Sequence, residues 1–260
     1  MEENENSQAI NRLLTIMTEL RAKCPWDKKQ TIESLRCLTI EEVYELSDAI
    51  MDKNLKGISE ELGDIMLHIV FYCQIAMEQN SFNFAEVVNH LCEKLIIRHP
   101  HVYATEQVNS AEDVKVNWEK IKLSSKEGRK TVLGGVPKSL PALVKAYRIQ
   151  EKVHGVHFDW KESEDVLAKI REEIKEFETE KQANDHDKME EEFGDILFSL
   201  INYGRHLHIN PEDALEKTNR KFINRFNRME QNILADGKHL PDMSVEEMEK
   251  YWQIAKKDEK

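Results

Sequence analysis

Ten carboxylates carry the strongest chemical signal in this 260-residue chain, and they come as two sets of five. Glu41, Glu42 and Glu45 lead the first set, and Glu61 and Asp64 complete it. Each residue of an α-helix turns ~100°, so Glu42 lies ~100° and Glu45 ~40° from Glu41, and the three share one arc. Glu61 and Asp64, three positions apart, share a face of the following helix. Two such helices packed antiparallel aim their acids into one seam. The seam adjoins residues 65–77, which are apolar save His68 and Gln74. Like charges crowded there repel one another and are costly to desolvate. A divalent cation removes both costs, and carboxylate oxygen is the donor that Mg²⁺ and Mn²⁺ prefer.

One such cluster on its own reads equally well as a solvated acidic face. The second set changes the reading. Glu172, Glu173, Glu176, Glu192 and Asp195 repeat Glu41, Glu42, Glu45, Glu61 and Asp64 at a constant offset of 131, and Gly194 repeats Gly63. Solvated faces have no reason to repeat five acids and a glycine in register, so both sets are read as metal sites. Further pairs repeat behind them: Lys94 with Arg98 and Lys221 with Arg225, then Trp118 with Lys122 and Trp252 with Lys256. Residues four apart face the same way on a helix. Carboxylates that hold metal, cations that hold phosphate and an indole that can stack on a base make one coherent set.

Other chemistries lack their signatures. Neither GxxxxGK[ST] nor GxGxxG occurs, so no glycine-rich loop cradles phosphate. A ferritin-like di-iron site needs two Glu-x-x-His motifs, and Glu151 with His154 is alone. The His99/His101 and His154/His157 pairs read as loop or surface histidines. No pair of Cys24, Cys37, Cys73 and Cys92 has CxxC spacing. The formal charge of −12 argues against nucleic acid and anionic membrane surfaces as partners. The apolar run at 65–77 is too short to span a bilayer. Residues 1–7 are acidic and polar, unlike a secretory signal, so a cytoplasmic location is expected.

The elements that must position these groups are helices. Charged residues make up 33% of the chain against nine Gly and six Pro, and no convincing alternating run suggests a strand. The periodicity predicts helices over residues 7–23, from a start at Thr31 and Ser34 through the acid-bearing 38–50, then 60–77, 85–97 and 111–123. It predicts breaks at Pro25 and at residues 54–59. The second copy is expected over 142–153, 163–180, 188–206, 211–232 and 244–256, with a polar break through Asp187. Residues 124–140 break the pattern with Gly and Pro and read as a linker. They separate a first domain, 1–123, from a second, 141–260.

Three segments together resemble the MazG nucleoside triphosphate pyrophosphohydrolases. They are EExxE with ExxD sixteen residues on, CPWDxxQT at residues 24–31, and GVPxxLPAL at residues 135–143. The similarity spans nearly the whole chain. It implies an all-α fold of two tandem helical bundles and a homodimer with sites near the subunit interface. It also implies Mg²⁺-dependent hydrolysis of NTP to NMP and pyrophosphate, with most activity in the second domain. Carried over, Glu173, Glu176, Glu192 and Asp195 would bind metal there, as Glu42, Glu45, Glu61 and Asp64 would in the first copy. Glu172, Lys188, Glu191, Lys221, Arg225, Trp252 and Lys256 would surround the nucleotide. Glu172 or Glu176 is the expected proton acceptor for the attacking water, and Lys221 and Arg225 are expected to neutralise developing charge. A narrower nucleotide substrate, or a helical regulatory partner with structural metal sites, are the alternative readings.

Overall fold

In a computed structural model, residues 4–104 and 131–257 are described, together with Ser110, Val114, Asn117, Trp118 and Ile121. The expected helix at 111–123, with Lys122, and the start of the linker therefore lie largely outside the described residues. The chain divides into two compact units, Met1–Gln107 and Val108–Lys260. Every regular element among the described residues is helical.

The first unit contains α1 (Glu5–Lys23), α2 (Ile32–Met51), α3 (Leu55–Glu78), α4 (Phe84–Arg98) and the short α5 (Pro100–Tyr103). The second contains α6 (Ala142–His154), α7 (Ser163–Ala183), α8 (His186–His206), α9 (Pro211–Ala235) and α10 (Val245–Lys257). The repeated acids sit on two matching helical hairpins, α2–α3 and α7–α8, the most extensively packed helix pairs of their units. Local sequence fixes the ends of these helices. Thr31 caps α2 in a reciprocal box with Ser34, which satisfies otherwise orphaned N–H groups.

Both hairpin turns are tighter than the periodicity predicts. The break expected at residues 54–59 is mostly helix, because Asn54 accepts from the Gly57 N–H and starts α3 at Leu55. Gly57 allows this: an added Cβ would lie 2.7 Å from Asn54 Nδ2 and 3.3 Å from Ala49 Cβ. In the second unit Asn184 takes a left-handed conformation at φ 56°, and Asp185 at once caps α8. The polar residues of both segments are thus caps and helix-end residues, which periodicity alone reads as loop.

The core of the first unit is apolar: Met17, Leu35, Val70, Phe71 and Ile75 are buried together, with Leu13, Leu14, Leu38 and Leu67 packed around them. The second unit has an apolar cluster of Met229, Ile233 and Ala255 where α9 meets α10. Polar residues are buried along α8: Ser199 and Asn202 have little exposure, and Gln150 on α6 donates to the Phe198 carbonyl at 2.7 Å. The loop before α7 is pinned by Asp159. Its carboxylate accepts from His154 Nδ1 at 2.7 Å, from His206 Nε2 at 3.0 Å and from Arg205. Those hydrogen bonds and the Arg205 charge hold the Asp159 carboxyl below the usual range against the opposing effect of burial, which is its largest single influence. No helix among the described residues is long and apolar enough to cross a membrane.

Two outcomes follow for stability. Met17→Ala should cost about 2–5 kcal/mol in denaturant titrations, because Met17 is only 1% exposed. Asp159→Asn should destabilise the protein at neutral pH. A lowered folded-state pKa gives stability that is present above the ordinary aspartate pKa and lost as pH falls through the folded value. Melting curves of the variant and the parent should therefore converge in acid, and a constant gap down to strongly acidic pH would contradict this account.

Candidate active site

Each hairpin brings three glutamates together. Carboxylate oxygens of Glu42, Glu45 and Glu61 lie within 4.8 Å of one another, and those of Glu173, Glu176 and Glu192 do the same. Glu173 is buried, Glu42, Glu61 and Glu192 are half-buried, and Glu45 and Glu176, the middle members, are exposed. The 3.6-residue repeat explains the pattern: positions i and i+3 on one helix face a single acid on its antiparallel neighbour. Asp64 and Asp195 stand outside the converged oxygens, yet close enough to act electrostatically on Glu42 and on Glu192.

Crowding marks these acids. Burial, then the charges of Asp64, Glu45 and Glu41, push the Glu42 carboxyl above its ordinary range. Glu61 rises through burial and the charges of Glu45 and Glu42. Glu176 rises because it shares a hydrogen bond with Glu173, and burial adds to that. Glu192 rises through burial and then the charge of Glu176. Each shift records the same fact, that the trio resists holding all its charge. The donor set is entirely oxygen and anionic, which suits a hard divalent ion such as Mg²⁺ or Mn²⁺.

The two trios differ in what offsets their charge. In the second unit Lys169 reaches Glu173 at 2.8 Å and Glu172 at 2.9 Å. Sequence reasoning missed this lysine, although its i, i+3 and i+4 spacing to the two acids was available. In the first unit the corresponding position is Leu38, and buried His68 approaches Glu42 instead, with Nε2 4.0 Å from Oε1.

The remaining expected nucleotide contacts form separate groups. Lys188 lies one turn before Glu192, 3.7 Å from Glu180 and 4.0 Å from Asp185, and Glu191 is exposed. Lys221, Arg225, Trp252 and Lys256 belong to the α9–α10 pair, where Arg225 stacks 5.0 Å from the Trp252 ring centre and Phe222 packs at 5.1 Å. Lys221 is exposed and makes no ion pair among the described residues, and α9 touches α8 only lightly. In the first unit Lys94 and Arg98 lie half-buried on α4.

The sequence pattern of the MazG nucleotide pyrophosphohydrolase domain is matched twice, over residues 30–103 and 161–229. The chain belongs to this family. The first MazG segment contains Glu42, Glu45 and Glu61, and the second contains Glu173, Glu176, Glu192, Lys169, Lys188, Lys221 and Arg225. The chain is 46% identical over 250 residues to the nucleoside triphosphate pyrophosphohydrolase/pyrophosphatase MazG of Thermotoga maritima, covering 95% of each protein. It is 40% identical over 257 residues to the nucleoside triphosphate pyrophosphohydrolase of Escherichia coli, covering 96% of this chain and 98% of that one. A Bacillus subtilis protein, YabN, is 43% identical over 250 residues, which are 95% of this chain and 51% of YabN.

Lys169→Met should leave the buried Glu173 without its counter-charge. In EDTA the variant should melt below the parent, and saturating Mg²⁺ should close much of the gap. An unchanged melting temperature in EDTA would show that Lys169 does not offset this charge.

Proposed function

We propose that this protein hydrolyses nucleoside triphosphates to the monophosphate and pyrophosphate in a Mg²⁺-dependent reaction, carried mainly by the second unit. The observation that carries the reading is the twice-built convergence of three carboxylates on a helical hairpin. The names of the Thermotoga and Escherichia relatives support the substrate class.

Glu173, Glu176 and Glu192 would hold the ion, with Asp195 adding charge at its edge. Bound Mg²⁺ supplies charge neutralisation at phosphate oxygens and a lowered pKa for an attacking water. The chain's own groups provide the rest. Glu172 is exposed beside the trio, and its carboxylate can take the proton of a water directed at the α-phosphorus. Glu176 is the other candidate acceptor. The Lys169 ammonium, held by two acids, is placed to move to phosphate once those acids are otherwise engaged. Lys221 and Arg225 supply cations for the pyrophosphate leaving group, and Trp252 with Phe222 supplies an aromatic platform for the base. No covalent nucleophile is required.

We also infer a homodimer. Apolar side chains beside both trios remain open to solvent: Val43 and Leu62 in the first unit, Ile174, Phe193 and Leu197 in the second. A Cβ added at Gly63 or Gly194 would meet nothing within 4 Å, although a mid-helix glycine costs roughly 0.5–1 kcal/mol relative to alanine. A helix of a second copy gives both features a purpose, and would bring α9–α10 cations to a partner's trio. The four thiols are free, as suits a reducing cytoplasm.

Product analysis tests the reaction: with an NTP panel and Mg²⁺, monophosphate and pyrophosphate should appear, and excess EDTA should stop turnover. Diphosphate and orthophosphate as products would rule the reading out. Glu176→Ala should lower kcat ~100-fold or more, equal to ~2.7 kcal/mol of barrier, and Glu45→Ala should have a milder effect. Equal losses in the two variants would mean two working sites. Sedimentation at micromolar concentration should give a dimer, and a monomer there would remove the interfacial part of the reading.

A further inference from the structure

Residue 68 is where the two acid hairpins diverge in donor chemistry. His68 lies on α3 one turn after Asp64, so both side chains occupy the same helix face. It is only 7% exposed, and its counterpart on α8 is Ser199. Its two ring nitrogens have different surroundings. Nδ1 lies 2.8 Å from the Thr39 hydroxyl, which is also 2.9 Å from the Leu35 carbonyl and 2.6 Å from the Tyr72 hydroxyl.

One proton assignment at Thr39 makes all three of its short contacts hydrogen bonds. In it the single Thr39 proton goes to the Leu35 carbonyl, which can only accept, the usual helical back-bond of threonine. Thr39 Oγ1 must then accept from both other neighbours. Tyr72 donates its hydroxyl proton, and His68 donates Nδ1–H. Burial disfavours the doubly protonated ring and outweighs the Asp64 charge that favours it. The Nε2 lone pair is therefore free, and it points toward the acids. Nε2 has no hydrogen-bond partner among the described residues and stands 4.0 Å from Glu42 Oε1. One divalent ion with ligand distances of about 2.1 Å on each side can span such a gap. A ring whose remote N–H is pinned by a hydrogen-bonded acceptor is also the usual second-layer arrangement around metal-ligating histidines.

We propose that His68 supplies a nitrogen donor to the first carboxylate cluster, on its Glu42–Asp64 side, making that cluster a mixed nitrogen–oxygen metal site while the second is built of oxygen alone. The proposal rests on the reading that these acids hold a divalent cation. Its consequence is unequal metal selectivity within one chain. Imidazole shifts preference from Mg²⁺ toward Mn²⁺ and later transition ions, whereas the all-oxygen second cluster suits Mg²⁺. Thr39 and Tyr72 act as positioning residues, because they hold the ring and its tautomer without reaching the ion.

The test uses the full-length protein carrying Glu173→Gln and Glu176→Gln, loaded with about one equivalent of Mn²⁺, so that the ion reports the first cluster. Electron spin-echo envelope modulation should show ¹⁴N coupling from a bound imidazole. His68→Gln on this background should abolish the coupling. Thr39→Val should keep the coupling and weaken Mn²⁺ binding about tenfold, the scale of losing an outer partner. Full-length protein with Glu42→Gln and Glu45→Gln, whose Mn²⁺ reports the second cluster, should show no nitrogen coupling. Bound Mn²⁺ at the first cluster without nitrogen coupling would overturn the role of His68 alone. Failure of Mn²⁺ to bind either full-length protein would overturn the cation reading, and this proposal with it.

Discussion

Repulsion between carboxylates that the fold forces together is the constraint on which the rest of this structure depends. Three glutamates on a helical hairpin, with oxygens inside 4.8 Å, cost free energy unless a cation joins them. The hairpin accepts that cost because its helices are anchored elsewhere. In the first unit the anchor is the Met17, Leu35 and Phe71 core together with the capping box at Thr31. In the second it is the buried Val166 and Ile170 of α7 and the Asp159 clasp on α8. Under the proposed reading, a bound cation would relieve the repulsion that this anchored scaffold maintains.

The two copies answer the constraint differently. The second neutralises part of its charge with Lys169, a fixed cation touching both Glu172 and Glu173. The first has Leu38 there and instead turns a buried histidine, held by Thr39, toward Glu42. A duplicated motif that looks equal by ligand count therefore comprises two electrostatic environments. That difference is the physical basis of the proposed inequality of the two units in ion preference and catalytic power.

Helix identity and the acid seam were legible in the sequence because both rest on periodicity and on a 131-residue repeat. The hairpin turns were not, since Asn54 and Asn184–Asp185 act through side-chain caps and one left-handed residue, which polarity alone reads as loop. Trio membership was only partly legible. Helical angles place Asp64 and Asp195 with the other acids, whereas the paired helices converge only on the glutamates. Lys169 was hidden among many charged helix residues, and His68 was visible as an exception in an apolar run without any sign of what its ring touches. The grouping of Arg225 with Trp252 follows from helix packing, which spacing within one helix does not report.

The most direct test of the central claim is the melting temperature, with and without Mg²⁺, of full-length protein carrying Glu192→Gln. Glutamine keeps the shape of the side chain and removes one of the crowded charges. The account predicts that in EDTA at neutral pH the variant melts above the parent, and that Mg²⁺ raises the parent more than the variant. A variant that melts below the parent in EDTA while responding fully to Mg²⁺ would contradict it, because the trio would then be neither strained by its charge nor relieved by the ion.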